Sequence, residues 1–499
     1  MLITGGNISA EGQSGFAVSC AGTGGVKLQN VTITQTYSGS DYSGSAAVIN
    51  GNLGGGSHCQ MNIAAGTTIT STNAPGVRNF GGDLRIFGAT ISSGGNYIGI
   101  LNQPTTSEGA HVYETGLTAN AIFDDTTRSW GKTYISTGNI TGGVKNYAGA
   151  LEIAGGTING TWDAAVITDG LAITTIRGGI IQQTNSTSGS GAHTIWNAST
   201  GTTTISGGTI TSKTGLATGD AYPYAVVNAN TGTINITGGT ISGIGTYGRG
   251  INNYGNGYVI VTGGTITTEG RYGNVIANGG TGKMKLENTT ITSNYTSSSD
   301  NATEGITNGN YSGGSHAEMV ISGTTTITVK DANAIYNRGG DLRMYGGTIN
   351  CPGNTAIMNA PTTSEGKVVD ASDVAANSVI TAAGRNWGRT YIRNGVVTGG
   401  GYGIYTTAGN YSVWVGNTAD TLVNTISAPL VTGTSNAGVG GSSDYYVRLD
   451  NGVIRSYNRD EYAVSGGKSY VKTNRSGVTV TYKDAGSSAG YHYYYLAAS

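Results

Sequence analysis

Carboxylates are the first requirement of most sugar chemistry, and this chain of 499 residues carries only 27 Asp and Glu. Glycoside hydrolysis needs two carboxyl groups facing one bond, and elimination from a uronate needs a carboxylate-held calcium with a basic proton abstractor. Asp124-Asp125 form an adjacent acidic pair, but a second copy of the same segment holds Thr381-Ala382 at those places. Turn residues at the surface are the favoured account of the pair. Asp83 and Arg85, like Asp341 and Arg343, are two apart and therefore share a strand face, where they read as solvated ion pairs. His58 and His316 close identical Gly-Gly-Ser-His segments with no second His or Cys at metal-ligand spacing. No catalytic residue, no metal site and no cofactor is expected from these patterns.

A binding chemistry is better represented. Trp130-Gly131-Lys132-Thr133-Tyr134 returns as Trp387-Gly388-Arg389-Thr390-Tyr391. In each copy two aromatic rings lie beside a cation, a combination able to face sugar rings, although packing of the Trp beneath the long loop is the favoured reading. That loop carries Glu108 in one copy and Glu365 in the other. The candidate ligand-binding set is therefore Glu108, Trp130, Lys132, Tyr134, Glu365, Trp387, Arg389 and Tyr391. Two equal patches suit multivalent contact, in which the second engagement gains from effective concentration; a catalyst gains less from such doubling.

These residues must be positioned by a repeat. Gly-Gly-Thr-Ile followed by Thr or Ser occurs at Gly207–Thr211, Gly238–Ser242 and Gly263–Thr267, with looser copies anchored at Ile8, Ile33, Ile69, Ile91, Ile140, Ile158, Ile181, Ile291, Ile327, Ile349 and Val397. Spacings of this size signal stacked units that bury their apolar faces only against one another. Alternation such as Thr233-Ile234-Asn235-Ile236-Thr237 has period two, so the unit is β, with Ile inward and Thr or Asn outward. A further strand ends in apolar-x-Asn, which places Asn50, Asn79, Asn102, Asn146, Asn197, Asn228, Asn253, Asn278, Asn308, Asn337 and Asn359 at equivalent corners. In register, their carboxamides would form a structural ladder. Outward Thr pairs such as Thr209 and Thr211 would also stack, an array that resembles ice-binding solenoids, but Asn159, Ser242 and Asn350 interrupt it.

A longer repeat overlies the coils, since residues 5–143 recur as 263–400 with one residue deleted. Residues 1–440 are thus expected to form a single long parallel β-helix. From 441 to 499 the composition changes to 12 charged residues and 10 of the 30 tyrosines, expected as a C-terminal antiparallel β cap that includes a hairpin over Tyr446–Tyr457. The amino end aligns with the middle of a coil. It is expected either to continue a longer protein or to stack on a partner, which could be a second copy end to end.

Composition narrows the partners. With 87 Gly, 6 Pro and 11 % charged residues, the chain is neither collagenous nor of the highly charged disordered class. A net charge of −1 without a basic stripe favours neither nucleic acid nor anionic lipid, and no apolar run reaches membrane-spanning length. No signal peptide is evident. Cys20, Cys59 and Cys351 are too few for a disulfide framework and are expected as small buried apolar residues.

The Gly-Gly-Thr-Ile coils with apolar-x-Asn corners resemble the pectin-lyase-like right-handed parallel β-helix repeats of bacterial surface and adhesin-type proteins. More loosely, they resemble the repeats of polymorphic outer-membrane proteins. That superfamily includes polysaccharide lyases and hydrolases, phage tailspikes and non-enzymatic adhesins, so the resemblance implies a fold and display outside the cell rather than one activity. The Gly-His-Gly and Asp-Asp signatures of the similar polygalacturonases do not occur together. The expected protein is a non-catalytic extracellular or cell-surface β-helix, a structural stalk or adhesin that contacts glycans or partner subunits. Alternatives are a polysaccharide lyase or glycoside hydrolase, or a phage tailspike or fibre.

Overall fold

The computed structural model describes all residues except 13–14, 23, 39–44, 53–58, 96, 104–130, 162–163, 184–192, 214–222, 271–272, 295–303, 310–316, 362–387, 408–411, 424–426, 443–444, 459–461, 466, 468–469, 485–491 and 499. The described residues contain strands and no helix. Compact packing divides the chain into a unit of residues 1–248 and a unit of residues 249–499. Each is an all-β parallel solenoid, the class the repeats imply.

In the first unit a typical coil has three strands, such as Gln60–Ala64, Thr68–Thr72 and Val77–Phe80. Each pairs in parallel with its counterpart one coil away, so that Ile33, Ile69 and Ile91 stand in one register and are fully buried. Such a residue gains about 1.5–3 kcal/mol from burial, but only because neighbouring coils supply the cover. The Gly-Gly signature is a corner. At Gly208 and Gly239 φ is 89°, a left-handed value that a Cβ disfavours. The preceding Gly238 passes so close to the coil below that an added Cβ would stand 2.6 Å from the Ser206 carbonyl. The first glycine is thus required by approach and the second by backbone conformation.

Coils of the second unit repeat this plan, with Ile266, Ile291, Ile327 and Ile349 in one buried register. Where the two copies of the long repeat carry their Asp-x-Arg sequences, the corner opens and two strands fuse. Asp83–Ser93, Asp341–Cys351 and Arg389–Gly399 are each 11 residues long, with pairing irregularities after Ile86 and Met344.

The asparagines form directional ladders in both units. Asn50 Nδ2 donates to Asn79 Oδ1 at 3.0 Å, Asn79 to Asn102 at 2.9 Å and Asn102 to Asn146 at 2.9 Å. Asn197 donates likewise to Asn228 at 2.9 Å. In the second unit the chain runs from Asn253 through Asn278, Asn308 and Asn337 to Asn359. All are fully buried.

Two expectations are corrected. Tyr446–Tyr457 is not an antiparallel hairpin: Val447–Leu449 and Val453–Ser456 pair in parallel with Val413–Val415 and Leu430–Gly433, so coils continue past residue 441. Gly452, at φ 81°, makes a solenoid corner there instead of a hairpin reversal. Among the described strands, antiparallel pairing joins Val478–Asp484 to His492–Ala498 and the latter to Val453–Ser456. The second correction concerns sulfur. Cys351 is a buried thiol, whereas Cys20 and Cys59 form a disulfide across 39 residues. Cys20 pairs in register with Asn50 and so stands where the ladder would continue. Two cysteines isolated in sequence meet because one coil brings them together.

Candidate functional site

The first strand of each coil turns alternate side chains outward, and the fused strands concentrate aromatic and charged groups on that face. In the first unit Leu84 and Ile86 point inward, leaving Asp83, Arg85 and Phe87 outside. Arg85 Nη2 meets Asp83 Oδ2 at 3.0 Å, and the two are only 3 % and 1 % exposed. The expected solvated pair is therefore a buried one. The guanidinium lies along the strand between its register neighbours Asn62 and Tyr134, an arrangement spacing along one strand does not reveal. Asp341 and Arg343 repeat it at 1 % and 4 %. Breaking such a pair costs more than forming it gains, because the surviving charge has been desolvated.

The predicted Trp-Gly-Lys/Arg-Thr-Tyr signature is described from its glycine onward. Trp130, Trp387, Glu108 and Glu365 lie outside the described residues, as do His58, His316 and Asp124-Asp125. Lys132 is buried and pairs with Glu152 at 2.7 Å, and Arg177 reaches the other carboxylate oxygen at 2.8 Å. Burial opposes the charge on Glu152, but the hydrogen bonds and positive charges of Lys132 and Arg177 prevail and hold its carboxyl below the usual range. Arg389 is 1 % exposed; burial brings its guanidinium pKa down to about 10 despite the favourable field of Asp341.

The structure brings the aromatics together with a partner the sequence reading missed. Tyr134 meets Phe87 edge to face at 6.0 Å; in the other copy Tyr391 meets Tyr345 edge to face at 6.2 Å. Phe87 and Tyr345 are 40 % and 36 % exposed, whereas Tyr391 is buried. Their signal was an aromatic residue two positions beyond each Asp-x-Arg arginine, on the same outward face. In the second unit the stack continues: Tyr391 packs on Trp414 at 4.6 Å, and the Arg448 guanidinium lies 3.7 Å from the Trp414 ring centre. Trp414 Nε1 donates to Asp450 at 2.9 Å, and Asn417 donates to the Tyr391 hydroxyl at 2.9 Å. Burial is the main reason the Tyr391 hydroxyl is a weaker acid than usual.

Beside Tyr345 lies a recess of about 470 Å³, walled by Arg393, Asp420, Thr421, Pro429 and Asn451. A second recess, of about 440 Å³, shares Tyr345, Asn394 and Ala428 with it and runs over Gly346, Gly347 and Gly395. Arg393 grips Asp420 with two bonds, 2.9 Å through Nε and 2.7 Å through Nη2, and both side chains remain partly exposed at 41 % and 32 %. The Asp420 loop is fixed from below, where Asn451 donates to the Thr421 carbonyl at 2.7 Å and Arg475 to the Asp420 carbonyl at 2.9 Å.

Two other patterns, the outward threonines and the metal-ligating residue types, build no site among the described residues. Outward threonines do stand in register, as at Thr32, Thr68 and Thr90, but a 47 % exposed Ile180 occupies the same rank further on. Among the described residues no three His, Cys, Asp or Glu converge as a metal group. Comparison with protein-family profiles, with curated proteins and with solved structures finds no match to this chain.

Proposed function

We propose that this chain is a non-catalytic, pectin-lyase-like β-solenoid displayed outside the cell, where it serves as a stalk or adhesin and binds glycans or partner subunits through its aromatic-bearing face. The observation that carries this reading is an exposed ring braced edge to face by a less exposed one, Phe87 by Tyr134 and Tyr345 by Tyr391, at nearly the same distance in both copies of the long repeat. Exposed rings held by a rigid sheet lose little entropy on contact, and two of them give a ligand two points of engagement.

Two further features support it. The Cys20–Cys59 disulfide suits an oxidising compartment. The described carboxylates of the face are engaged by cations, Asp83 by Arg85, Glu152 by Lys132 and Arg177, and Asp420 by Arg393, an arrangement suited to recognition rather than proton abstraction. A glycan array probed with the intact chain and with a Phe87→Ala, Tyr345→Ala double variant tests the reading. Retention of a specific set of glycans by the intact chain, lost in the double variant, is the expected result. Retention unchanged in the variant would remove this face from any role in adhesion.

A further inference from the structure

The two copies of the repeat share their aromatic edge but not what stands next to it. Position 393 of the second unit is Arg, and the equivalent position 136 of the first is Ser. Asp420 lies beyond the end of the duplicated block and has no counterpart there. The recess beside Tyr345 thus has the Arg393–Asp420 pair, where among the described residues the duplicated Phe87 site has Ser136 and, in register with Tyr134, the Glu152 carboxylate held by Lys132 and Arg177.

We propose that this recess binds a neutral pyranose unit, with the Tyr345 ring along one side of the sugar and the Arg393–Asp420 pair holding neighbouring hydroxyls; this rests on the glycan-binding reading above. The donor and acceptor count fits a diol. A guanidinium has five N–H donors and a carboxylate about four lone-pair sites, and the mutual pairing of Arg393 and Asp420 uses two of each. A donor and an acceptor side by side are what a hydroxyl pair needs, since each hydroxyl both gives and receives. Charge argues the ligand class. The +1 of Arg393 is cancelled at contact distance by Asp420; Arg475 donates to the Asp420 and Asp450 carbonyls and its field reaches the Asp420 carboxylate, but it does not line the recess. A uronate, sulfate or phosphate would meet the Asp420 carboxylate in a recess whose one lining cation, Arg393, is already paired with it, whereas a neutral sugar incurs no such repulsion.

Preorganisation and size also fit. Tyr345 is held edge-on by Tyr391, itself packed on Trp414, and the Asp420 loop is pinned by Asn451 and Arg475. The volume, about 470 Å³, lies within the usual range of small-molecule sites. The adjoining floor is bare because Gly347 and Gly395 adopt φ of 95° and 109°, so a second sugar residue can lie flat across it. The site therefore accommodates at least a disaccharide.

Calorimetric titration of the intact chain with neutral tetrasaccharides of glucose, mannose, galactose and xylose, and with tetragalacturonate, tests this. The expected result is binding of at least one neutral tetrasaccharide, weakened roughly tenfold or more by Tyr345→Ala and by Arg393→Gln. Asp420→Asn unmasks Arg393 and should shift preference toward tetragalacturonate, a gain that misfolding could not produce. If a neutral tetrasaccharide binds equally well to Tyr345→Ala and Arg393→Gln, the recess is not its site, while glycan binding itself stands. If only tetragalacturonate binds, the neutral class is wrong. If the intact chain binds none of these and retains nothing on a full glycan array, this proposal and the adhesion reading beneath it both fall.

Discussion

Replacing Asn337 by alanine should loosen its coil by about 3 kcal/mol, whereas the same change at Asn50 should cost only about 1 kcal/mol. Asn337 Nδ2 donates to Asn359 Oδ1 at 2.9 Å and to the Arg389 carbonyl at 3.1 Å, and its Oδ1 accepts from Asn308 at 3.0 Å. At about 1 kcal/mol each, losing these three buried bonds gives the larger figure, a fourth contact to Thr390 Oγ1 at 3.5 Å being too long to add much. The neighbours are not stranded, because Asn359 Oδ1 still accepts from Thr390 at 3.0 Å and Asn308 still reaches the Asp341 carbonyl at 3.4 Å. Asn50 heads its ladder: it donates to Asn79, and its Oδ1 has no hydrogen-bond partner among the described residues. One bond is lost there. Long repeat arrays do not unfold as one cooperative unit, so local hydrogen exchange is the suitable assay. Amides of Ile335–Arg338 should exchange roughly a hundredfold faster in Asn337→Ala, against about fivefold for Val48–Gly51 in Asn50→Ala. Equal effects at the two positions would refute the ladder as a chain of coupled bonds. So would strict additivity of Asn308→Ala with Asn337→Ala, since neighbours in one network should not add.

The disulfide and a partly buried histidine give two further expectations. Closing a loop of about 40 residues between Cys20 and Cys59 should stabilise the first coils by roughly 4 kcal/mol in the chain-entropy account. The denatured, unreduced protein should show one titratable thiol and the reduced protein three, and reduction should open the first coils to protease; three thiols without reductant would refute the bridge. His193 accepts the Tyr224 amide at 3.1 Å through Nδ1, stacks 5.0 Å from Trp196, and is held by burial at a pKa of about 4. Because that value lies below the unfolded value of about 6.5, the unfolded chain binds the extra proton first. The His193 contribution is complete above pH 6.5 and is lost as pH falls toward 4, by up to about 3 kcal/mol. Thermal unfolding from pH 7.5 to 4.5 should show a steeper decline for the native chain than for His193→Gln, and parallel profiles would disprove the assignment.

How much of this was legible in the sequence follows from the range of each interaction. Period-two alternation and Gly-Gly corners are local, so they disclosed the strands, the inward isoleucines and the parallel stacking that stacked repeats require. Identity at offsets of 258 and, after the one-residue deletion, 257 likewise disclosed that Asp-x-Arg and Gly-x-Thr-Tyr occur twice. Burial of Asp83 with Arg85 was hidden, because two residues apart on a strand fixes a face but not what neighbouring coils place over it. The same blindness hid the Cys20–Cys59 pair. It also misread Tyr446–Tyr457, whose alternation suits a hairpin as well as it suits successive coils.

By itself, then, the sequence determined the period, the class of fold and the ladder positions, since those depend on residue type and spacing within one coil and its copy. Only the tertiary structure decided which outward groups meet: Tyr345 against Tyr391, Tyr391 on Trp414, and Arg393 with Asp420, 27 residues apart. The physical reason is that side-chain contacts between coils depend on register and on the length of each intervening excursion. The excursions here vary, so no fixed spacing in the sequence encodes them.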